Sequence, residues 1–394
     1  MKYDFDEIID RHGTDCQKWD RLEKVYPGCP DDAIAMWVAD MDFACAPCIV
    51  EALRKRVDER IYGYSCARNP EYYRIVAQWM KDRHGWEVDV DDIVFSPGVV
   101  PAIGYLINIL TQPGDGVIVQ GPVYFPFLYM IEGNGRTIAN NPLVLDGSRY
   151  VIDFEDLEEK LRDDRNKLLL FCSPHNPVGR VWTKDELSRV AELCEKYGKL
   201  IISDEIHFDL VRKGVTHTVL ETVRPAYKEK IITCTAPSKT FNLAGLQNSN
   251  IVIHDQAILA KGQHFLKHVA HTDGHNFFGA AANAAAYREG GPWLDQLNDY
   301  LDGNITFLTS YMSEHMTRAK VIPCEGTYLV WVDLSGYGLA QEELDKLLVE
   351  KAGVLLDSGT MFGEAGRGFQ RFNVACPRAV LAQALERIER VLEA

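Results

Sequence analysis

The stretch Ala236-Pro237-Ser238-Lys239-Thr240-Phe241-Asn242 follows the apolar run Ile231-Ile232-Thr233-Cys234 after one further residue, Thr235. Such a run predicts a buried strand, and the small residues after it predict a turn. Lys239 is therefore expected at a strand end, where its amine is enclosed rather than free in solvent. An enclosed lysine amine has a lowered pKa and can form a Schiff base. Because lysines after Ser or Thr are also common in solvated turns, this interpretation needs support from the rest of the chain.

Two further predicted strands upstream end in polar side chains. Asp204 follows the apolar run 200–203, and Asn176 lies in the turn Ser173-Pro174-His175-Asn176-Pro177-Val178-Gly179 after the apolar run 168–172. Apolar runs of this length, separated by helical patterns, predict parallel strands whose carboxyl ends meet at the ligand-binding edge of a sheet. We therefore expect both side chains near the lysine. Each also has an ordinary alternative, since Asn before Pro forms turns and Asp caps helices.

Together these three segments resemble the fold-type I enzymes that use pyridoxal 5′-phosphate (PLP), the aminotransferase class I/II superfamily. A fourth match is Arg371-Phe372-Asn373-Val374, where the family carries the arginine that binds the substrate α-carboxylate. The four motifs occur in the family order and span nearly the whole chain. The resemblance implies an α/β fold, with a large domain built on a mostly parallel seven-stranded sheet and a smaller α+β domain.

The same resemblance implies a domain division. Residues 1–45 are expected to form an N-terminal arm and part of the small domain, residues 46–288 the large PLP-binding domain, and residues 289–394 the C-terminal small domain. Within the last part, Tyr328–Asp333 and Arg371–Val374 have the composition of strands, and the apolar spacing after Pro377 predicts a terminal helix.

The resemblance also implies roles for the residues at the strand ends. Lys239 forms the Schiff base and then removes the Cα proton of the substrate. Asp204 pairs with the pyridine nitrogen, Asn176 donates to the phenolic oxygen, and Tyr124 stacks on the ring. His207 lies near the position of a tyrosine in many relatives and either supports the ring or has a structural role. Lys239, Asp204 and Tyr124 are the predicted catalytic residues.

A phosphate site is predicted where Phe95-Ser96-Pro97-Gly98 leads into an apolar helical stretch, because free N–H groups at a helix start bind anions. Val99 and Val100 match the phosphate loop of the family, and the hydroxyl of Ser238, with that of Thr235, adds a donor. Many aminotransferases carry an arginine eight residues after the lysine to pair with the phosphate. That position is Gln247 here, so the charge partner of the phosphate is left open.

The segment Ile61-Tyr62-Gly63-Tyr64-Ser65 resembles the family segment that crosses a dimer interface. It implies a homodimer in which Tyr64 contacts the phosphate of the neighbouring subunit.

The amino-acid composition of the chain narrows the classes of partner that the protein is expected to bind. With 57 acidic and 42 basic residues the chain carries a formal charge of -15, which argues against nucleic acid or an anionic membrane as a partner. The chain has no apolar run of about eighteen residues and its N-terminus has no signal-peptide pattern, so a cytoplasmic location is expected. Its ten cysteines are then mostly reduced. Cys45 and Cys48 have redox-like spacing but lack the second pair that a zinc site needs, so no metal is expected.

Reaction type depends on segments outside the four motifs. The stretch Met36–Phe43, with Tyr62–Ser65 and Ala236–Gly245, resembles the cystathionine β-lyase or C–S lyase branch, whose members cleave L-cysteine S-conjugates to a thiol, pyruvate and ammonia. An aminotransferase of the same fold is the alternative, because both reactions share their early steps. A regulatory PLP-binding protein that acts on another protein is a third interpretation, against which the intact set of cofactor residues argues.

Overall fold

The computed structural model describes residues 2–66 and 68–394. In these ranges the strands are β1 (Ile34–Ala35), β2 (Ile93–Ser96), β3 (Gly116–Val119), β4 (Thr137–Asn140), β5 (Val144–Asp146), β6 (Arg149–Val151), β7 (Asn166–Cys172), β8 (Leu200–Asp204), β9 (Ile231–Thr235), β10 (Ser249–Ile253), β11 (Lys320–Val321), β12 (Leu329–Asp333), β13 (Val354–Leu355), β14 (Asp357–Ser358) and β15 (Phe369–Asn373).

The α-helices of the same ranges are α1 (Leu22–Val25), α2 (Pro47–Asp58), α3 (Pro70–His84), α4 (Val99–Leu110), α5 (Phe125–Gly133), α6 (Phe154–Arg162), α7 (Lys184–Lys196), α8 (Leu220–Val223), α9 (Pro237–Thr240), α10 (Gln256–His264), α11 (Phe277–Glu289), α12 (Gly291–His315), α13 (Gln341–Leu347) and α14 (Arg378–Leu392). No helix in the described part of the chain is both long and apolar enough to cross a membrane.

Seven strands form the central sheet in the order β2-β10-β9-β8-β7-β3-β4. The neighbours from β9 through β4 are all parallel, whereas β10 runs antiparallel to both β9 and β2. The predicted α/β fold with a mostly parallel seven-stranded sheet is thus confirmed. Because β10 is reversed, the start of β10 lies at the same edge as the carboxyl ends of its two neighbours.

The central strands are continuously apolar because helices cover both faces of the sheet. Along β7, Leu168 and Leu170 pack into a cluster with residues of α4, α5 and α10, while Leu169 and Phe171 pack into a second cluster with residues of α6, α7 and α8. Successive side chains of a strand point to opposite faces, so one seven-residue strand contributes to two cores. Only the strand ends are left to carry polar groups.

Capping fixes where the covering helices begin. Thr183 accepts from the backbone N–H of Glu186, and the Glu186 carboxylate accepts in return from the backbone N–H of Thr183, which is a complete capping box at the start of α7. Leu187 and Val190 then lie on the buried face of the helix. This packs α7 against the sheet directly behind the turn that follows β7.

A second sheet, in the order β11-β12-β15-β14, is antiparallel throughout. The predicted strands near Tyr328 and Arg371 are confirmed as β12 and β15, and the predicted terminal helix is confirmed as α14. The four apolar residues that predicted α14 are all buried: Leu381, Leu385, Ile388 and Leu392. From the N-terminal part, β1 pairs in parallel with β13. The division at residues 45 and 288 stays a prediction.

His254, the residue directly after β10, lies between two carboxylates. Its Nδ1 is 2.7 Å from an oxygen of Asp92, and its Nε2 is 2.8 Å from an oxygen of Glu221. Glu221 also accepts from the indole N–H of Trp86 and the hydroxyl of Thr233. Burial alone would lower the pKa of His254, but hydrogen bonds and charge attraction from the two carboxylates leave it above its usual value.

This arrangement predicts a pH-dependent contribution to stability. A raised folded-state pKa means that the contribution is complete below the ordinary histidine pKa of about 6.5 and is lost as pH rises through the folded-state value. In thermal melts followed by circular dichroism, His254→Gln should therefore lower the melting temperature most below about pH 6.5 and progressively less as the pH is raised. An equal loss of melting temperature at every pH for His254→Gln would contradict the account.

Candidate active site

A cavity of about 290 Å³ opens at the edge where the parallel strands end. Eight of the residues predicted from the sequence lie in its wall: Val99, Val100, Tyr124, Asn176, Asp204, His207, Ser238 and Lys239. Three predicted residues, Arg371, Tyr64 and Thr235, do not line it. No group of three or more His, Cys, Asp or Glu side chains suited to a metal ion occurs in the described part of the chain.

Strand register brings three of these side chains together. The last residue of β7, Cys172, lies opposite Asp204 at the end of β8, and Asp204 lies opposite Cys234 of β9. The turn after β7 carries Asn176, and the short helix α9 after β9 carries Lys239. Three neighbouring parallel strands therefore deliver an amide, a carboxylate and an amine to one edge of the sheet.

The amine of Lys239 is enclosed and hydrogen-bonded. Its Nζ donates to the backbone carbonyl of Ala39 over 2.6 Å. Burial lowers the pKa of Lys239 to about 8, although the Asp40 carboxylate opposes this and Arg371 adds to it. An amine with such a pKa is neutral in a substantial fraction of molecules near neutral pH, as a nucleophile or base must be.

Asp204 is almost completely buried, and burial raises the pKa of its carboxyl group to about 7. The backbone N–H of Ile206 donates to one oxygen over 3.1 Å and opposes the rise. Its other oxygen has no hydrogen-bond donor among residues 2–66 and 68–394. A carboxyl group in this state is suited to receive a cation from a ligand, because a nearby positive charge restores its ionised form.

Arg371 lies just outside the cavity and connects to it through Asn176. Its Nη1 donates to the side-chain carbonyl of Asn176 over 2.9 Å, which leaves the NH₂ group of Asn176 free to donate to a ligand. Its Nη2 donates to the Trp37 carbonyl over 3.1 Å and pairs with the Asp357 carboxylate. Burial raises the pKa of Asp357 even though Arg371 opposes it. The guanidinium is thus compensated and rigidly held.

Two ring side chains complete the middle of the cavity. Burial, with the charges of Lys239 and Arg371, lowers the pKa of His207 far below its usual value, so the imidazole is neutral. Its Nδ1 is buried and has no hydrogen-bond partner in the described structure, and its ring meets Tyr328 edge-on. Burial raises the pKa of Tyr124 to about 12, so its phenol keeps its proton at neutral pH.

The helix α4 begins in the cavity wall at Val99, with Gly98 as its N-cap and without a side-chain cap. Its first N–H groups are therefore available to an anion. Ser238 and Gln247 line the same cavity. Thr235 does not contribute as expected, because its hydroxyl donates to the carbonyl of Asn250 across the sheet over 3.0 Å.

Tyr64 lies elsewhere in the chain. Its side chain is fully exposed on the loop before α3, where it lines a separate cavity of about 520 Å³ together with Arg56 and Phe277. Within one chain, the structure does not bring Tyr64 to the lysine.

Sequence reasoning missed two partners of the site. Ala39 contributes a backbone carbonyl, which no side-chain pattern reveals, although Met36–Phe43 was already conspicuous for its likeness to one branch. Asp357 belongs to the two-residue strand β14, which lies beside Arg371 in β15. A buried arginine requires a counter-ion, but only the strand pairing identifies which acid supplies it.

The polar groups are suited to a flat, phosphorylated pyridine ring. The cavity wall contains a carboxylate able to hold a ring N–H⁺, an amide donor and a reactive amine. It also contains the free N–H groups at the start of α4. Among the described residues lining the cavity, Lys239 is the one lysine or arginine. A phosphate in the cavity would therefore be held by neutral donors.

Comparison with known proteins gives the same family. PatB, a cystathionine β-lyase from Bacillus subtilis (strain 168), is 42% identical over 388 residues, covering 98% of this chain and 99% of the relative. Cystalysin from Treponema denticola, whose crystal structure contains PLP, is 38% identical with a TM-score of 0.96, covering 100% of this chain and 99% of its own.

A PLP-bound protein from Clostridium difficile 630, provisionally named an aminotransferase, is 42% identical with a TM-score of 0.96 and covers 99% of this chain and 100% of its own. The family model for aminotransferase class I and II matches residues 32–388. The chain is a member of the aminotransferase class I and II family.

Proposed function

We propose that this protein is a PLP-dependent C–S β-lyase that cleaves L-cystathionine or related L-cysteine S-conjugates to a thiol, pyruvate and ammonia. The observation that carries the proposal is the full-length likeness, at 42% identity, to a cystathionine β-lyase. The cavity supports it, because the amine, carboxylate and amide that PLP requires lie in one wall. An aminotransferase is the second candidate, favoured by the name of the Clostridium difficile relative.

The chemistry that PLP supplies when bound is that of an electron sink for the electrons left on the substrate Cα. Lys239 would hold the cofactor covalently, and Asp204 would keep the ring nitrogen protonated. Asn176 would donate to the phenolic oxygen, and neutral His207 would lie against the ring. Val99 and Val100 would bind the phosphate through their N–H groups, with the hydroxyl of Ser238.

The residues around the substrate then have distinct tasks. Arg371 binds the α-carboxylate, and its fixed partners Asp357 and Asn176 keep the guanidinium from rotating. Lys239, once its amine is free and neutral, removes the proton from Cα. The electrons released there would break the Cβ–S bond and expel the sulfur substituent as a thiolate, which would take up the proton held by Lys239 and leave as a thiol. Tyr124, whose side chain lines the same cavity, contributes its ring as a stacking surface.

We further propose that the protein is a homodimer in the cytoplasm. The loop around Tyr64 exposes Ile61 and Tyr62 as well, and a cluster of exposed apolar side chains beside a cavity favours a protein interface. A partner would bring its own Tyr64 to the phosphate end of this site. All ten cysteines are free thiols, which suits a reducing compartment.

The reaction type is tested by incubating purified holoenzyme with L-cystathionine and no keto acid. We expect homocysteine, pyruvate and ammonia in equal amounts, because β-elimination needs no amino acceptor. Pyruvate is measured with a coupled dehydrogenase and the thiol with a disulfide reagent. Turnover that requires an added keto acid, and yields an amino acid from it, would contradict the lyase and support the aminotransferase.

Replacing the catalytic amine should stop the reaction. Lys239→Ala is expected to lower kcat by about a thousandfold or more, because both the covalent attachment and the base are lost. Lys199 is the matched control, since burial lowers the pKa of this lysine too, yet its amine donates to the carbonyls of Asp163 and Asn166 away from the cavity. The Lys199→Met variant should keep the visible absorption of the bound cofactor. Equal losses of kcat in the two variants would argue against Lys239 as the catalytic amine.

Complementation tests the proposed dimer. Tyr64→Ala and Lys239→Ala protomers are each expected to have low activity, and mixed dimers regain one site that has both native residues. After the two variants are unfolded and refolded together, activity should exceed the mean of the parents. Tyr129, another exposed tyrosine, serves as control in place of Tyr64. A mixture with only the mean activity would contradict a site shared between subunits.

A further inference from the structure

The segment Trp37–Met41 passes along the wall of the active site and provides acceptors for both of its cations. The Ala39 carbonyl accepts from Lys239 over 2.6 Å, and the Trp37 carbonyl accepts from Arg371 over 3.1 Å. Two backbone oxygens, two positions apart, thus hold the proposed base and the proposed carboxylate ligand. These two carbonyl oxygens can position Lys239 and Arg371 only if the irregular segment that carries them is itself held in place.

Asparagines from two other elements hold the segment on either side. The side-chain NH₂ of Asn373, at the end of β15, donates to the carbonyls of Val38 and Asp40 over 2.7 and 2.8 Å. The side-chain amide of Asn242 bonds to both the N–H and the carbonyl of Met41, over 3.1 and 2.9 Å. Asn242 has a φ of +59°, a conformation that persists only where its surroundings hold it.

Two cations hold the segment from behind. Arg11 pairs with Asp40 over 2.9 Å and with Asp42 over 2.8 Å. Lys18 is completely buried; it pairs with Asp42 over 2.7 Å and also donates to the Asp40 carbonyl over 3.0 Å. We call these four residues the N-terminal ion cluster. Two positive and two negative groups compensate each other, so the cluster adds no net charge beside the site.

The charges that face the amine come from several elements. Asp40 and Asp204 attract a positive Lys239, while Arg371 repels it and neutral His207 lies nearby. Asp40 itself pairs with Arg11, and its charge also acts on the side chains of Tyr328 and Cys45. Arg11 is thus the cation that pairs directly with Asp40, whose charge raises the pKa of the Lys239 amine.

We propose that Arg11 is a positioning residue for the reaction: by pairing with Asp40 it keeps the Ala39 carbonyl on Lys239 and withholds the Asp40 carboxylate from that amine. The proposal rests on the function given above, in which Lys239 is the base. Without the guanidinium, Asp40 would be free to attract the Lys239 ammonium. The pKa of Lys239 would rise from about 8, and less of the amine would be neutral at working pH.

The test measures the ionisation of Lys239 directly. Full-length protein stripped of cofactor is treated with an amine-acylating reagent across a pH series, and the modified fraction of the Lys239 peptide is read by mass spectrometry. Arg11→Gln should shift the half-modification pH upward by about one pH unit. The low-pH limb of kcat of the holoenzyme should move in the same direction. Arg11→Lys keeps the charge and should stay close to the native midpoint.

Arg387→Gln is the matched control. Arg387 pairs with Asp32 over 2.7 Å near the N-terminal segment, but neither residue faces the cavity, so the midpoint should not move. Asp40→Asn tests the same claim without removing Arg11, and it should move the midpoint downward. A midpoint unchanged in both Arg11→Gln and Asp40→Asn would overturn the proposal, as would equal shifts in Arg11→Gln and Arg11→Lys.

These measurements separate this proposal from the assigned function. The labelling midpoint reports the environment of Lys239 whether the holoenzyme releases pyruvate or transfers an amino group. If the midpoint shifts but no C–S cleavage occurs, the lyase assignment fails and the role of Arg11 stands. If C–S cleavage occurs but the labelling midpoint does not shift, the lyase assignment stands and the proposed role of Arg11 fails.

Discussion

Enclosure of a lysine amine at the carboxyl edge of a parallel sheet is the constraint on which this structure depends. Burial disfavours the charged form of Lys239 and brings its pKa to about 8, but it also leaves an amine that must be hydrogen-bonded. The Ala39 carbonyl meets that need without adding a full negative charge. Carboxylates lie nearby, and those of Asp40 and Asp357 each have an arginine partner.

Asp204 differs from those two acids because no cation is bonded to it among residues 2–66 and 68–394. Burial raises the pKa of its carboxyl group to about 7, and Asp204 lines the cavity in which a cofactor would be held. The same low-polarity surroundings therefore prepare two opposite groups. They hold a lysine ready to lose its proton and a carboxylate ready to gain a positive partner, which is the pairing that PLP chemistry needs.

Much of this arrangement could be predicted because it depends on regular strands. The apolar runs before Asn176, Asp204 and Lys239 predict strands, and parallel strands end at one edge, so the three side chains had to meet. The reversed direction of β10 was not predictable, since its apolar run looks like that of any other buried strand. Thr235 was misjudged for a related reason, because whether its hydroxyl faces a cavity or a neighbouring strand depends on register.

Contacts made by backbone atoms and by distant segments were outside the reach of sequence patterns. Neither Ala39 nor the N-terminal ion cluster has a spacing that points to Lys239, because both depend on how the chain before β2 folds back over the site. Tyr64 raises a different question, since its proposed role needs a second subunit.

Reduction of the native holoenzyme with borohydride, followed by peptide mass analysis, tests the central claim most directly. The account predicts loss of the visible absorption and a single pyridoxyl mass on the peptide that contains Lys239. The same mass on a peptide with Lys18, Lys199 or any other lysine, or no modified peptide at all, would contradict it.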